Sequence, residues 1–302
     1  SHCILQDDWH EQSHTHIGAT VVPTAIAVGE ELGSTGKEVL MAVVIGYDME
    51  DRAGCLSVPA FLRGFRPSAL YSYFGGAAVT GRLMKLSREQ MTNAIACAGS
   101  AAGGVLQTYN DGSMEWSYQE GFGARGGILA ATLAAAGLSG SMNIFEGING
   151  INKAYAGTTE GQEQALKDLG TKFQIMETCF KRFAAGGANH GSAAVAWELR
   201  RRHKIDHRKI REIRVDIPYR GTHERMNYAA LPYAGPFNTI DQALISKPFA
   251  IGAVLIEGNL TFNTVKRLQK DPELERLAKA IKLKEADDIN GWNLRMEIEM
   301  ED

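Results

Sequence analysis

Residues 118–137 read YQEGFGARGGILAATLAAAG, and this stretch decides the fold class. Alanine favours helix, and the stretch stops at Leu138-Ser139-Gly140, a glycine-ended boundary. Glycine and alanine mixed into one helical segment predict helices that approach closely, not strands. The segments before it read the same way. Residues 22–33 (VPTAIAVGEELG) run from a proline to a glycine and predict a helix. Residues 36–52 carry apolar side chains at helical spacing, and residues 69–85 set small residues on one stripe. Ser87 followed by Gln90 fits a capping box at the head of a further helix.

The pattern changes after about residue 170. KIREIRVDIPY (209–219) and NLRMEIEMED (293–302) alternate with period two and predict strands, the second without an obvious partner. Helices are expected at 188–202, 238–257 and 272–281, the last with Asp271 as N-cap and Pro272 at its first position. The fold expected is mainly α with a smaller α+β domain: an all-helical domain over 1–172 and an α+β domain over 173–302.

Composition fits a folded chain. Of 302 residues, 44% are apolar and 22% charged, enough to bury a core. A net charge of −3 argues against a nucleic-acid partner, which requires a basic face. The longest apolar run, Gly126–Leu138, is too short to span a bilayer. Cys3, Cys55, Cys97 and Cys179 form no CxxC pair and read as free thiols, so a cytoplasmic location is expected. The chain begins with Ser1 in place of Met, which reads as processing or truncation.

Four of the eight histidines, His2, His10, His14 and His16, lie in the first sixteen residues beside Asp7 and Asp8. Such density suits acid–base chemistry, because imidazole exchanges protons near neutral pH. It also suits a metal held by His10, His14 and His16 with an aspartate, although HExxH is lacking. A solvated polar loop is the plain alternative. A second candidate is KRFAAGGANHGSAAVAWEL (181–199), where Lys181 and Arg182 precede a helix start near Asn189-His190 and could hold a carboxylate or phosphate. Its turn does not match GxxxxGK[ST], so a nucleotide loop is excluded. Arg66 precedes the helix that opens PSALYSYF and could reach an acidic substrate. The glycines of SYQEGFGARGG (117–127) follow no strand, so a dinucleotide fingerprint is discounted.

Taken in order, these segments resemble the MmgE/PrpD family. His2…Asp7-Asp8 followed by His16-Ile17-Gly18-Ala19-Thr20-Val21-Val22-Pro23 is similar to its HALDxDD…HPGxVVxP segment. Gly46-Tyr47 with Arg52, the Gly64-Phe65…Phe74-Gly75-Gly76-Ala77 helix, and Gly121…Gly127…Leu133-Ala134…Gly137 follow in the family order. Lys181-Arg182-Phe183 with His190, and Asp241-Gln242-Ala243…Ser246, complete it. The resemblance implies a large helical domain and a smaller α+β domain with the active site between them. It also implies homodimers, and no metal or organic cofactor. Typical members are longer, so the resemblance implies that family N-terminal helices and a C-terminal return segment are lacking from this chain.

The activity implied is a lyase acting on a small di- or tricarboxylate by α-proton abstraction, of the 2-methylcitrate or citrate dehydratase type. A decarboxylase, an epimerase or a non-catalytic member are the alternatives. His16 falls on the family's catalytic histidine and Lys181 on its active-site lysine, while Asp7 and Asp8 match its paired aspartates. His190 matches a recurrent histidine. Arg66, Arg182 and Gln119 are further substrate-binding candidates. Leu5, Trp9, Trp116, Gly186 and Phe249 depart from the family pattern and remove polar groups that would bind a tricarboxylate.

Overall fold

Apolar helical faces set at 3.6-residue spacing must be buried, and a computed structural model, which describes residues 2–218, 235–289 and 293–301, shows what they bury against. The described residues fall into two units. One comprises the chain up to His2, Asp7–Leu106 and Glu115–Phe180; the other comprises Cys3–Gln6, Gln107–Met114 and the chain from Lys181 onward. The fold is mainly α, with a smaller α+β part. Among the described residues no helix is long and apolar enough to cross a membrane.

The first unit opens with a short strand β1 (Asp8–His10), followed by α1 (Ile17–Glu31), α2 (Gly36–Ala53), α3 (Ser57–Leu62), α4 (Pro67–Leu83) and α5 (Arg88–Ala101). α6 (Gln107–Asp111) falls in the second unit, and the first continues with α7 (Trp116–Ala135) and β2 (Thr178–Phe180). α4 is the central helix, packed by α1, α2, α5 and α7. Its buried Leu70, Tyr71, Phe74 and Ala77 meet Ala98 of α5 and Ala130 of α7. The small residues allow the close approach: a Cβ at Gly127 would collide with the backbone of Gly76 and Ala77. The stretch at 118–137 is therefore a helix for the reason its composition gave. Ser87 and Gln90 form the expected capping box on α5, with reciprocal bonds of 3.2 and 3.0 Å.

α1 corrects the expectation. It begins at Ile17, six residues before Pro23, which lies inside it. The cap that starts it comes from a distant residue, as described below. β1 and β2 pair antiparallel and were too short to read as strands.

The second unit holds α8 (His190–His203), β3 (Ile210–Pro218), α9 (Ile240–Ile245), α10 (Lys247–Glu257), α11 (Phe262–Leu268), α12 (Pro272–Ala280), β4 (Ile281–Ala286) and β5 (Arg295–Met300). The sheet order is β4-β3-β5, with β3 parallel to β4 and antiparallel to β5. The C-terminal strand thus has a partner, contrary to expectation, and it is β3. β4 was missed because it follows α12 without a break. The expected helix over 238–257 is two helices. Ser246 turns extended and caps α10 by accepting from the Phe249 N–H, and Pro248 cannot donate back to a preceding turn. Asp271 caps α12 through bonds of 2.9 and 3.1 Å to the Glu273 and Leu274 N–H groups.

Candidate active site

The first unit builds its polar centre at the start of α1. His16 is the N-cap residue of α1, yet its side chain makes no capping bond. Asp8 caps the helix from β1 instead: both carboxylate oxygens accept from the Gly18 N–H, at 3.1 and 3.0 Å. Tyr47 on α2 donates its phenolic proton to Asp8 Oδ2 at 2.6 Å. Burial pushes the Asp8 carboxyl up, while the Tyr47 and Gly18 bonds pull it down. The Asp8 main-chain carbonyl accepts from His16 Nδ1–H at 2.8 Å. A carbonyl can only accept, so the neutral ring carries its proton on Nδ1.

A second chain of contacts reaches the same ring. Arg66 lies at the head of α4 and is buried, with NH2 at 2.6 Å and NH1 at 3.3 Å from the two Glu120 oxygens. It also donates to the Trp116 carbonyl at 2.6 Å and to Gln119 Oε1 at 2.7 Å. Its NH2 also lies 2.8 Å from His2 Nε2. A guanidinium only donates, so His2 Nε2 accepts and His2 Nδ1 carries the proton, which it gives to Asp7 Oδ2 at 2.6 Å. The His2 ring packs on His16 with centroids 4.6 Å apart, and Asp7 Oδ2 lies 3.9 Å from His16 Nδ1. Trp9 flanks His16 at 5.1 Å, and Trp116 meets His2 edge-on at 5.3 Å.

The structure therefore brings His16, Asp7, Asp8, Arg66 and Gln119 into one network within this unit. Arg66 and Gln119 read from sequence as substrate-binding groups; here Arg66 holds Glu120 and His2, and Gln119 accepts from Arg66 while donating to the Val105 carbonyl at 3.2 Å. Neither stands open as a carboxylate clamp.

The metal set read from sequence does not assemble among the described residues. His10 turns to Asp51, with Nδ1 2.6 Å from Oδ1, and lines a polar cavity with Lys167, Lys172 and Glu177. His14 lies 3.3 Å from Ser57 Oγ. The group with suitable geometry is His2, Asp7 and His16, whose ligand atoms lie within 4.8 Å of one another. His2 Nδ1 already gives its proton to Asp7 Oδ2, and Arg66 donates to His2, so a cation there would displace a hydrogen bond and face a guanidinium.

Lys181, Arg182 and His190 belong to the second unit. Lys181 is buried. Arg182 stacks its guanidinium 4.3 Å from the Trp197 ring centroid, a cation–π contact at the surface. His190 Nε2 lies 3.3 Å from the Ala185 carbonyl. Sequence reading missed Lys247. It is fully buried at the start of α10, with Nζ 2.7 Å from the Ala188 carbonyl and 3.1 Å from Ser192 Oγ. Burial pushes its amine down to about 8. The departures Leu5, Trp116 and Phe249 are fully buried packing residues, which accounts for their apolar character.

Glu50 and Glu120 were also missed, and both have a signal. Glu120 continues the buried stripe of Gly123, Gly127, Ala130 and Ala134 on α7, and Glu50 continues that of Ala42 and Gly46 on α2. A carboxyl on an apolar stripe needs a partner or a proton. Glu120 has Arg66. Glu50 is wholly buried with no hydrogen-bond partner at either oxygen among the described residues, and burial holds its pKa well above the usual carboxylate range. The folded state thus keeps a proton that the unfolded chain releases near pH 4.5. Stability is full below that pH and falls as pH rises toward the folded pKa, by up to about 1.4 kcal/mol per pH unit. Glu50→Gln is expected to match the parent in urea denaturation at pH 4 and to exceed it increasingly from pH 5 to pH 7.5. The same pH dependence in both proteins would contradict this.

A family model of the MmgE/PrpD N-terminal domain matches residues 1–164. The chain belongs to the MmgE/PrpD family. Within the matched segment lie His2, Asp7, Asp8, His16, Arg66 and Glu120, so the family's N-terminal domain carries the whole network. Cis-aconitate decarboxylase of Aspergillus terreus (strain NIH 2624 / FGSC A1156) is 27% identical over 213 residues, covering 65% of this chain and 43% of that protein. Cis-aconitate decarboxylase of Homo sapiens is 25% identical over 304 residues, covering 96% of this chain and 60% of that protein. The chain spans about half the length of the curated relatives it matches.

Proposed function

We propose that this MmgE/PrpD chain acts as a cofactor-independent lyase that decarboxylates a small unsaturated di- or tricarboxylate, with cis-aconitate as its probe and His16 delivering the proton. The observation that carries this is the fixed tautomer of His16. Its Nδ1–H stays on the Asp8 carbonyl, and His2 has both nitrogens engaged by Asp7 and Arg66. With Nδ1 committed to the Asp8 carbonyl, the proton that moves is the one we assign to His16 Nε2. Decarboxylation needs one proton on carbon. The bond to the departing carboxylate breaks, CO2 leaves, and the electron pair stays on carbon, spread into the adjoining double bond and carboxylates. The His16 imidazolium gives up Nε2–H to that carbon and becomes the neutral ring already held by Asp8. The Asp7 carboxylate at 3.9 Å offers an opposite charge to the imidazolium. Lys181 is the cation we assign to a substrate carboxylate. The names of the relatives support the same substrate class.

Dehydration is the second reading. It moves two protons, one off carbon and one onto a leaving hydroxyl, and so requires a second proton-bearing group beside His16. Separate incubations with cis-aconitate, citrate, 2-methylcitrate and iminodisuccinate, followed by proton NMR and CO2 measurement, distinguish the two. Consumption of cis-aconitate with equimolar CO2 is expected. Conversion of citrate or 2-methylcitrate without CO2 would replace decarboxylation by dehydration.

A further inference from the structure

We propose that Tyr47 is a positioning residue for His16, clamping Asp8 so that Asp8 caps α1 in place of His16 and leaves the imidazole for proton transfer. The inference rests on the reading of His16 as the acid–base group.

A helix start leaves N–H groups that need acceptors, and the residue at the N-cap ordinarily supplies one from its own side chain. His16 occupies that place and supplies none. Had it done so, its ring would be turned back on its own helix. The acceptor is Asp8, eight residues earlier on β1. Asp8 does two jobs at once: its carboxylate holds Gly18 N–H, and its carbonyl holds His16 Nδ1–H. Both depend on where Asp8 sits. β1 fixes its backbone through the register Asp8↔Phe180. Tyr47 fixes its side chain, at 2.6 Å.

Three details of α1, α2 and α4 fit the clamp. Burial, with the Asp8 carboxylate facing it, raises the Tyr47 phenol far above its ordinary value, so it remains a donor. Gly18 leaves the space in which phenol and carboxylate meet: a Cβ there would lie 2.5 Å from the Tyr47 oxygen and 2.9 Å from Asp8 Oδ2. Glu50, three residues after Tyr47 on α2, does not compete for the phenolic proton, since neither of its oxygens bonds to it. It fits against α4 because position 75 is glycine, where a Cβ would collide with Glu50 Oε2.

Tyr47 also packs in the apolar cluster of Ile17, Val21 and Val79, so a purely structural role is the competing account. Tyr47→Phe keeps the ring and removes only the hydroxyl. The first readout is the nitrogen-15 NMR signature of His16, assigned by comparison with His16→Gln. A single Nδ1–H tautomer is expected in the parent and a mixture of tautomers in Tyr47→Phe. The second is kinetic: kcat lower by about tenfold or more, with KM within about twofold. Gly18→Ala pushes phenol and carboxylate apart from the other side and is expected to give the same tautomer change, which covers the case where Tyr47→Phe folds poorly. A His16 signature unchanged in both variants overturns the proposal, whatever happens to kcat. A parent chain that turns over none of the four acids while its tautomer still responds to Tyr47→Phe removes the catalytic reading and leaves the clamp standing.

Discussion

His16→Ala is expected to lose about 10²- to 10⁴-fold in kcat, the usual contribution of a positioned acid–base group. The expectation is specific because the substitution leaves the scaffold intact. The ring makes no capping bond, and the capping of α1 by Asp8 does not pass through it. Its loss deletes one bond to the Asp8 carbonyl and ring contacts with His2 and Trp9. Circular dichroism and melting temperature should stay close to the parent, while turnover measured by CO2 release collapses. Turnover within about threefold of the parent, in a folded variant, would remove His16 from the chemistry.

Arg66→Met is expected to act on stability more than any other single change in the network. Arg66 and Glu120 are both buried, and removing the cation leaves the Glu120 carboxylate in a low-dielectric site without its guanidinium partner, with His2 Nε2 at 3.4 Å beside it. Breaking a buried pair in this way costs about 3–5 kcal/mol. The same change removes a donor from His2 Nε2 and from the carbonyl of Trp116, so its effect spreads along the relay to Asp7. In a helical unit of this size a drop of about 10 °C in melting temperature is expected. Arg66→Met combined with Glu120→Leu should recover much of it, since the stranded carboxylate is then gone. An Arg66→Met protein as stable as the parent would show that the guanidinium does not neutralise Glu120.

The helical scaffold was legible because its signals are local. The alanine–glycine stripe of α7, the Ser87 capping box and the Asp271 cap each sit within a few residues of what they organise. The start of α1 was not legible, because its cap is Asp8, which reaches Gly18 only once β1 has folded beside it. β1, β2 and β4 escaped for a related reason: three-residue strands carry no periodicity, and β4 continues directly from α12. In the site, residue types near the N-terminus pointed to His16, Asp7 and Asp8 before any geometry. The role of Arg66 did not emerge, because an arginine at a helix head reads the same whether it meets a substrate or a buried glutamate. Glu120 and Glu50 could have been found. Each is a carboxyl on the apolar stripe of its helix, a conflict that only a partner or a retained proton resolves.

The central claim is that His16 delivers one solvent-derived proton to carbon as CO2 leaves. NMR of the chain incubated with cis-aconitate in D₂O tests it most directly. The account predicts CO2 release matched by a product carrying one deuterium at the carbon that received the proton, in the parent and not in His16→Ala. A product that forms without CO2, or that forms equally in His16→Ala, would contradict it.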